Sequence, residues 1–284
     1  MKFPEAILFC ITGLLFSCET KQQTVHAGTE RKQNATRSSK LYSEPVKFSD
    51  TVKMVRIEQG SFVPQYGKKN RPVKVEEFLM DVHPVTNRQF LLFVKNNHGW
   101  RRSQVKAVYA DKNYLSNWIN DSTLAPEQNP DAPVTNVSWF AANAYCSCAG
   151  KQLPAVNQWE YAAMADADTK DARKEKAFSQ YVVSWYEKPQ TFNMPVEHTF
   201  KNYWGVWDLH GLVWEWTYDF NEIMISGESR RDVSNDENKF CGSGSVNAAD
   251  LMDYAAFMRY AFRGSMKASY AVQNQGFRCI KTSK

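Results

Sequence analysis

Apolar and polar positions alternate between Thr51 and Val63, with Val52, Met54 and Ile57 among the apolar ones, and Val73 to Met80 repeats the two-residue period. These stretches predict a strand and its partner. The period then lengthens. Thr86 is followed by Asn-Arg-Gln and by apolar Phe90, Leu91, Phe93 and Val94, which predicts a helix capped at its start. Ser138 to Ala149 repeats that pattern, with Ser138 as the cap and Gly150 as a left-handed stop. A third helix is predicted from about Val156 to Ala165. Elsewhere the apolar runs are short and broken by Gly, Pro and Asn, so the pattern predicts an irregular α+β fold with much loop. No internal repeat and no long Pro/Gly/Ser stretch divides residues 51–284, which are expected to form a single domain.

The densest apolar stretch is Tyr203 to Phe220, YWGVWDLHGLVWEWTYDF, with four of the nine tryptophans. That much aromatic surface must fill a core or line a recess. Asp208, Gly211 and Glu215 interrupt it at short spacing, setting two carboxylates and a flexible turn inside a buried segment. Two readings fit. A calcium ion takes carboxylate and main-chain oxygens together while glycine lets the backbone fold round it; alternatively, the carboxylates cap or bridge neighbouring backbone.

Residues 1–18 contain an apolar run from Ala6 to Phe16. It falls well short of the roughly twenty residues that a membrane-spanning helix needs, and reads as a signal peptide. Its ending, Leu15-Phe16-Ser17-Cys18, resembles the bacterial lipobox, so Cys18 is the expected lipidation site and first residue of the mature chain. Acyl chains, at about 0.8 kcal/mol per buried methylene, would attach it durably to a membrane. Residues 19–50 are mainly Lys, Gln, Thr, Ser, Arg and Glu, with no tryptophan. Such a segment cannot bury enough apolar surface to offset its ordering entropy, and it is expected to be a flexible tether.

The net charge of +5 gathers in no stripe or cluster, which argues against a nucleic-acid partner. Of six cysteines, Cys10 leaves with the signal and Cys18 carries lipid. Cys146, Cys148, Cys241 and Cys279 then stand in a compartment where disulfides persist, and four cysteines allow three pairings. The one-residue gap of Cys146-Ser147-Cys148 is not a common metal-ligand spacing. The histidines at 26, 83, 98, 198 and 210 form no HExxH or paired pattern and read as surface or turn residues.

Val85-Thr86-Asn87, Pro133-Val134-Thr135-Asn136-Val137-Ser138-Trp139, AYCSCAGKQLPAVNQWEYAA at 144–163, GVWDLHGLVWEW at 205–216 and Gly276-Phe277-Arg278 resemble, in order and spacing, the sulfatase-modifying-factor family. That is the fold of the formylglycine-generating enzyme, and the resemblance spans 51–281. It implies a compact α+β domain distantly like the C-type lectin fold, with bound calcium. The family's first calcium site finds no match between Ser184 and Tyr203, whereas the second maps onto Asp208, Gly211, Val213 and Glu215. The resemblance also implies a disulfide between Cys146 and Cys279, which by subtraction leaves Cys148 to meet Cys241.

Catalysis in that family depends on two cysteines separated by four residues, lying between a Gly-Gly-Ser strand and a short segment with two arginines. They bind copper(I), as soft thiolates do, and oxidise a substrate cysteine to formylglycine with oxygen. Here the corresponding interval, from Gly242-Ser243-Gly244-Ser245 to Arg259 and Arg263, contains no cysteine. Ala248 and Ala255 stand near the missing positions, and Met252 and Met258 read as core, so no copper is expected. Leu153-Pro154-Ala155-Val156 lacks the family's threonine cap, a loss of about 1 kcal/mol, and Leu212 stands where the family has Asn.

Two functions follow as expectations. The first is a non-catalytic binding or scaffold lipoprotein. It is similar to the gliding-motility and type IX secretion lipoproteins of the Bacteroidota, which carry this domain behind a lipobox. That similarity implies the outer membrane of a bacterial envelope, with a protein partner in an envelope complex or a glycan. The second is an oxidoreductase that uses a cleft around Trp214, Trp216, Arg259 and Arg263 with chemistry other than the cysteine–copper reaction.

Overall fold

The first alternating segment forms two strands rather than one, and each finds its own partner. A computed structural model describes residues 52–65, 71–189, 191–221 and 251–282. In it β1 (Met54–Ile57) and β2 (Gly60–Phe62) are followed by β3 (Val73–Val75) and β4 (Phe78–Asp81). β2 pairs with β3, whereas β1 pairs antiparallel with β4, Ile57 opposite Phe78. The break falls at Glu58 and Gln59, and Gly60 opens β2, where a Cβ would lie 2.2 Å from the Tyr161 hydroxyl, so only glycine admits that ring.

Three helices stand where the pattern predicts them. α1 (Asn87–Asn96) begins with a reciprocal cap: the Thr86 side chain accepts from Gln89 N–H, and the Gln89 side chain accepts from Thr86 N–H. Its Phe90, Phe93 and Val94 turn inward. After the short hairpin of β5 (Trp118–Asn120) and β6 (Thr123–Leu124), α2 (Trp139–Cys148) starts with Ser138 Oγ accepting from Ala141 N–H. It stops at Gly150, whose φ of 67° is the left-handed turn expected there. α3 (Val156–Ala163) has no side-chain cap from Ala155, but two other groups supply one. Gln158 Oε1 accepts from Ala155 N–H at 2.9 Å, and Asp219 Oδ1, far along the chain, accepts from Val156 N–H at 2.7 Å. The expected loss of a cap is thereby offset.

Two helices were not foreseen. α4 (Lys176–Tyr186) buries Phe178, Val182 and Trp185. Between it and the end of the chain lie β7 (Trp214–Glu215), α5 (Leu251–Ser265), β8 (Gln275–Gly276) and β9 (Ile280–Thr282). On α5, Arg259 and Arg263 sit one turn apart, on a helix packed against α4. Ala255 and Met252 are buried there with Phe178 and Val182, as core filling requires.

β9 completes the sheet β1–β4–β9. Its fully buried Ile280, with Ile57, Phe78 and Met80, packs against Trp159, Tyr161 and Trp204. A second cluster joins α1 and α2 through Phe90, Phe93, Tyr145 and Phe277, and each such fully buried ring contributes about 2–3 kcal/mol. Cys146 and Cys279 form a disulfide with a sequence separation of 133, tying α2 to the residue before β9. Cys148 is a buried thiol, and Cys241, its expected partner, lies outside the described residues. So do the expected signal and tether with Cys18, the stretch 242–245 and Ala248. No described helix is long and apolar enough to cross a membrane.

Candidate functional site

Residues 203–216 turn sharply because four of them adopt positive φ: Gly205 at 84°, Asp208 at 59°, Gly211 at 115° and Leu212 at 36°. Gly211 is required twice over, since a Cβ there would also lie 2.7 Å from Thr199 Cγ2. Leu212 is a branched side chain in a region that Asn occupies more readily. Its carbonyl is held by Thr191 Oγ1 at 2.7 Å.

Beyond this turn, β7 runs parallel to β8, with Glu215 opposite Gly276. That register brings Glu215 to Arg278, two residues past Gly276. Arg278 Nε lies 3.0 and 2.9 Å from the two carboxylate oxygens, Nη2 lies 2.8 Å from Oε1, and Trp159 Nε1 donates to Oε2 at 2.7 Å. Asp208 has different partners. Its carboxylate accepts main-chain N–H bonds from Glu197, His198 and Thr199 at 2.5, 3.1 and 2.8 Å.

These contacts bear on the expected calcium ligands Asp208, Gly211, Val213 and Glu215. Both carboxylates already accept from three or more protein donor atoms. A cation at Glu215 would also face the Arg278 guanidinium, so the donor chemistry at that end does not fit one. Gly211 and Val213 serve as turn and cleft wall. Among the described residues no three His, Cys, Asp or Glu side chains gather in a way that could hold a metal ion.

Arg259 and Arg263 converge on Glu160 of α3, a residue the sequence reading passed over. Arg259 binds it through Nε and Nη2, Arg263 through Nη1 at 2.8 Å, and all three side chains are buried. Burial pushes the Glu160 carboxyl up, but the two guanidiniums outweigh it and hold the pKa at about 2. Both guanidiniums also lie over the Trp159 ring, at 5.6 and 4.8 Å from its centroid.

A cleft of about 410 Å³ opens beside this cluster. Trp214, Arg259 and Arg263 line it. Trp216 does not: it is fully buried, donates Nε1–H to Val137 O at 2.9 Å and packs on Phe220 in the core. β7 ends at Glu215, so the two-residue period that would set Trp216 on the same face as Trp214 stops before it. Trp185, Tyr186 and Lys188, at the end of α4, complete one wall.

His210 is likewise not a surface residue. It is buried against Trp159 and Phe178, with Nε2 2.7 Å from Ala163 O, and burial pushes its pKa down to about 3, so the ring is neutral. Burial pushes the Cys148 thiol up to about 11. Such a thiol is not a ready thiolate ligand or nucleophile.

Compared with known proteins, the chain matches the family described as FGE-sulfatase, the sulfatase-modifying factor enzyme 1-like domain, over residues 39–283. It is 27% identical over 285 residues to formylglycine-generating enzyme of Bos taurus, a match covering 81% of this chain and 75% of that protein. It is 25% identical over 250 residues to inactive C-alpha-formylglycine-generating enzyme 2 of Mus musculus, covering 75% and 78%. Among solved structures, PvdO from Pseudomonas aeruginosa is 18% identical with a TM-score of 0.47, covering 84% of this chain and 99% of that one.

Proposed function

The chain belongs to the sulfatase-modifying factor enzyme 1-like family, and from that premise we propose that it is a membrane-anchored binding or scaffold member that does without the cysteine–copper oxidation. One observation carries this reading: the interval Gly242 to Arg263 holds no thiol, and its two arginines are bound to Glu160. The remaining cysteines do not supply the pair. Cys146 and Cys279 are bonded to each other, and Cys148 is buried with its thiol pushed up. Cys241 alone cannot hold copper(I) between two thiolates. Its relatives include one named as the enzyme and one named inactive, so similarity alone favours neither and the missing thiols carry the reading.

The anchor is Cys18, lipidated at the end of the signal run, with residues 19–50 as a tether from the outer membrane. The partner is a protein of an envelope assembly of the gliding or secretion kind. The test is fractionation and cross-linking of the full chain in a bacterial host. Wild type is expected in the membrane fraction, carrying lipid on Cys18 by mass spectrometry and cross-linked to an envelope protein. Cys18→Ser is expected in the soluble fraction. Membrane retention of Cys18→Ser, or an unlipidated wild type, overturns the anchor.

A further inference from the structure

The cleft beside the aromatic turn carries more positive charge than its carboxylates balance. Lys188, Arg259 and Arg263 line it. Glu215 is on the wall too, but Arg278 neutralises it. Glu160 is one carboxylate answering two guanidiniums. Three cations against one remaining carboxylate leave two positive charges over.

Their donors are also unevenly used. Arg259 commits Nε and Nη2 to Glu160 and Nη1 to the Tyr186 oxygen. Arg263 gives Glu160 only Nη1, which leaves Nε and Nη2 without an acceptor among the described residues. Lys188 has no ion-pair partner there either, and its Nζ lies 3.7 Å from the centroid of the Trp185 ring. Since Tyr186 accepts from Arg259, its own hydroxyl proton remains to be donated. Around these donors the walls are aromatic: the rings of Tyr186 and Trp214 are 4.8 Å apart, and Phe262 stacks on Trp214 at 5.0 Å. The volume lies within the roughly 300–1,000 Å³ usual for small-molecule sites.

Aromatic walls alone suit a cation, but two unbalanced positive charges oppose one. We propose that the cleft binds a small organic anion with a flat apolar body, the anionic group against Arg263, Lys188 and Tyr186 and the body against the Trp185 and Trp214 rings. The proposal names a ligand class for the binding module inferred above and rests on that reading.

Two fluorescent probes with one body separate charge from shape: anilinonaphthalene sulfonate, and phenylnaphthylamine, which lacks the sulfonate. Titrated into the folded wild-type chain, the sulfonate is expected to bind saturably, one per chain, and the neutral probe about tenfold more weakly. The factor corresponds to the loss of one charge-assisted hydrogen bond. Lys188→Gln and Arg263→Gln should each weaken the sulfonate by a similar factor and leave the neutral probe unchanged. Lys188 is exposed and carries the test if Arg263→Gln disturbs the Glu160 cluster. Equal affinity for the two probes, an unchanged sulfonate affinity in Lys188→Gln, or no saturable binding overturns the proposal. Any of these leaves the non-catalytic reading standing, because that reading is decided by peptide oxidation.

Discussion

Glu215 and Arg278 meet with both side chains at 0% exposure, the guanidinium donating to both carboxylate oxygens at 2.8–3.0 Å. The parallel pairing of β7 with β8 sets this contact. Removing one partner strands a buried charge, so Glu215→Gln and Arg278→Met are each expected to cost about 3–5 kcal/mol. Replacing both with apolar residues should recover most of that loss. Urea melts of the two singles and the double decide it; singles costing under about 1 kcal/mol, as for an exposed pair, would contradict the burial.

Glu160 makes acid stability depend on two arginines. Its folded pKa, about 2, lies below its ordinary value of 4.5. A depressed carboxyl stabilises the fold fully above the unfolded value and loses that contribution as pH falls towards the folded one. The window is therefore about pH 4.5 down to 2, and the contribution on the order of 3 kcal/mol. In Glu160→Gln the fall in stability across this window should be shallower than in wild type. Parallel slopes in denaturant melts at pH 5, 4 and 3 would contradict the pairing.

The disulfide closes a loop with a sequence separation of 133, and removing a native bond of this kind typically costs about 2–5 kcal/mol. Cys279→Ala should lower the melting temperature accordingly. Non-reducing peptide mapping should show the 146–279 cross-link, and Cys148 should resist thiol reagents until the chain unfolds. Rapid native labelling of Cys148 would contradict its burial.

The helix starts at Thr86 and Ser138 were legible because each cap bonds to a residue three positions on, and the stop at Gly150 because only its φ matters. Contacts between distant residues were not. Asp219 caps α3 from 63 positions away, and Glu160 meets Arg259 and Arg263 from 99 and 103. No local period marks such pairs. Trp214, Arg259 and Arg263 line the cleft, but spacing alone could not say that Trp216 points into the core or that His210 is buried. The stretch 54–62 carried strand signals throughout, yet Glu58 and Gln59 part it into two strands that pair with different partners.

A calcium ion on Glu215 would have to displace the Arg278 guanidinium. With the guanidinium in place and three backbone N–H groups on Asp208, chelation is expected to leave the melting temperature unchanged. A lower melting temperature with chelator, absent in Asp208→Asn, would place a calcium ion on this turn.

The central claim is that this domain keeps the fold of its family without the thiolate pair, and incubation with a Cys-x-Pro-x-Arg peptide, copper and oxygen tests it most directly. Oxidation of the cysteine to formylglycine replaces its CH₂SH by an aldehyde, which an intact-mass spectrum and an aldehyde-reactive hydrazide both detect. The account predicts a peptide of unchanged mass with its thiol intact. Oxygen-dependent appearance of the aldehyde, abolished in Cys241→Ser, would contradict it.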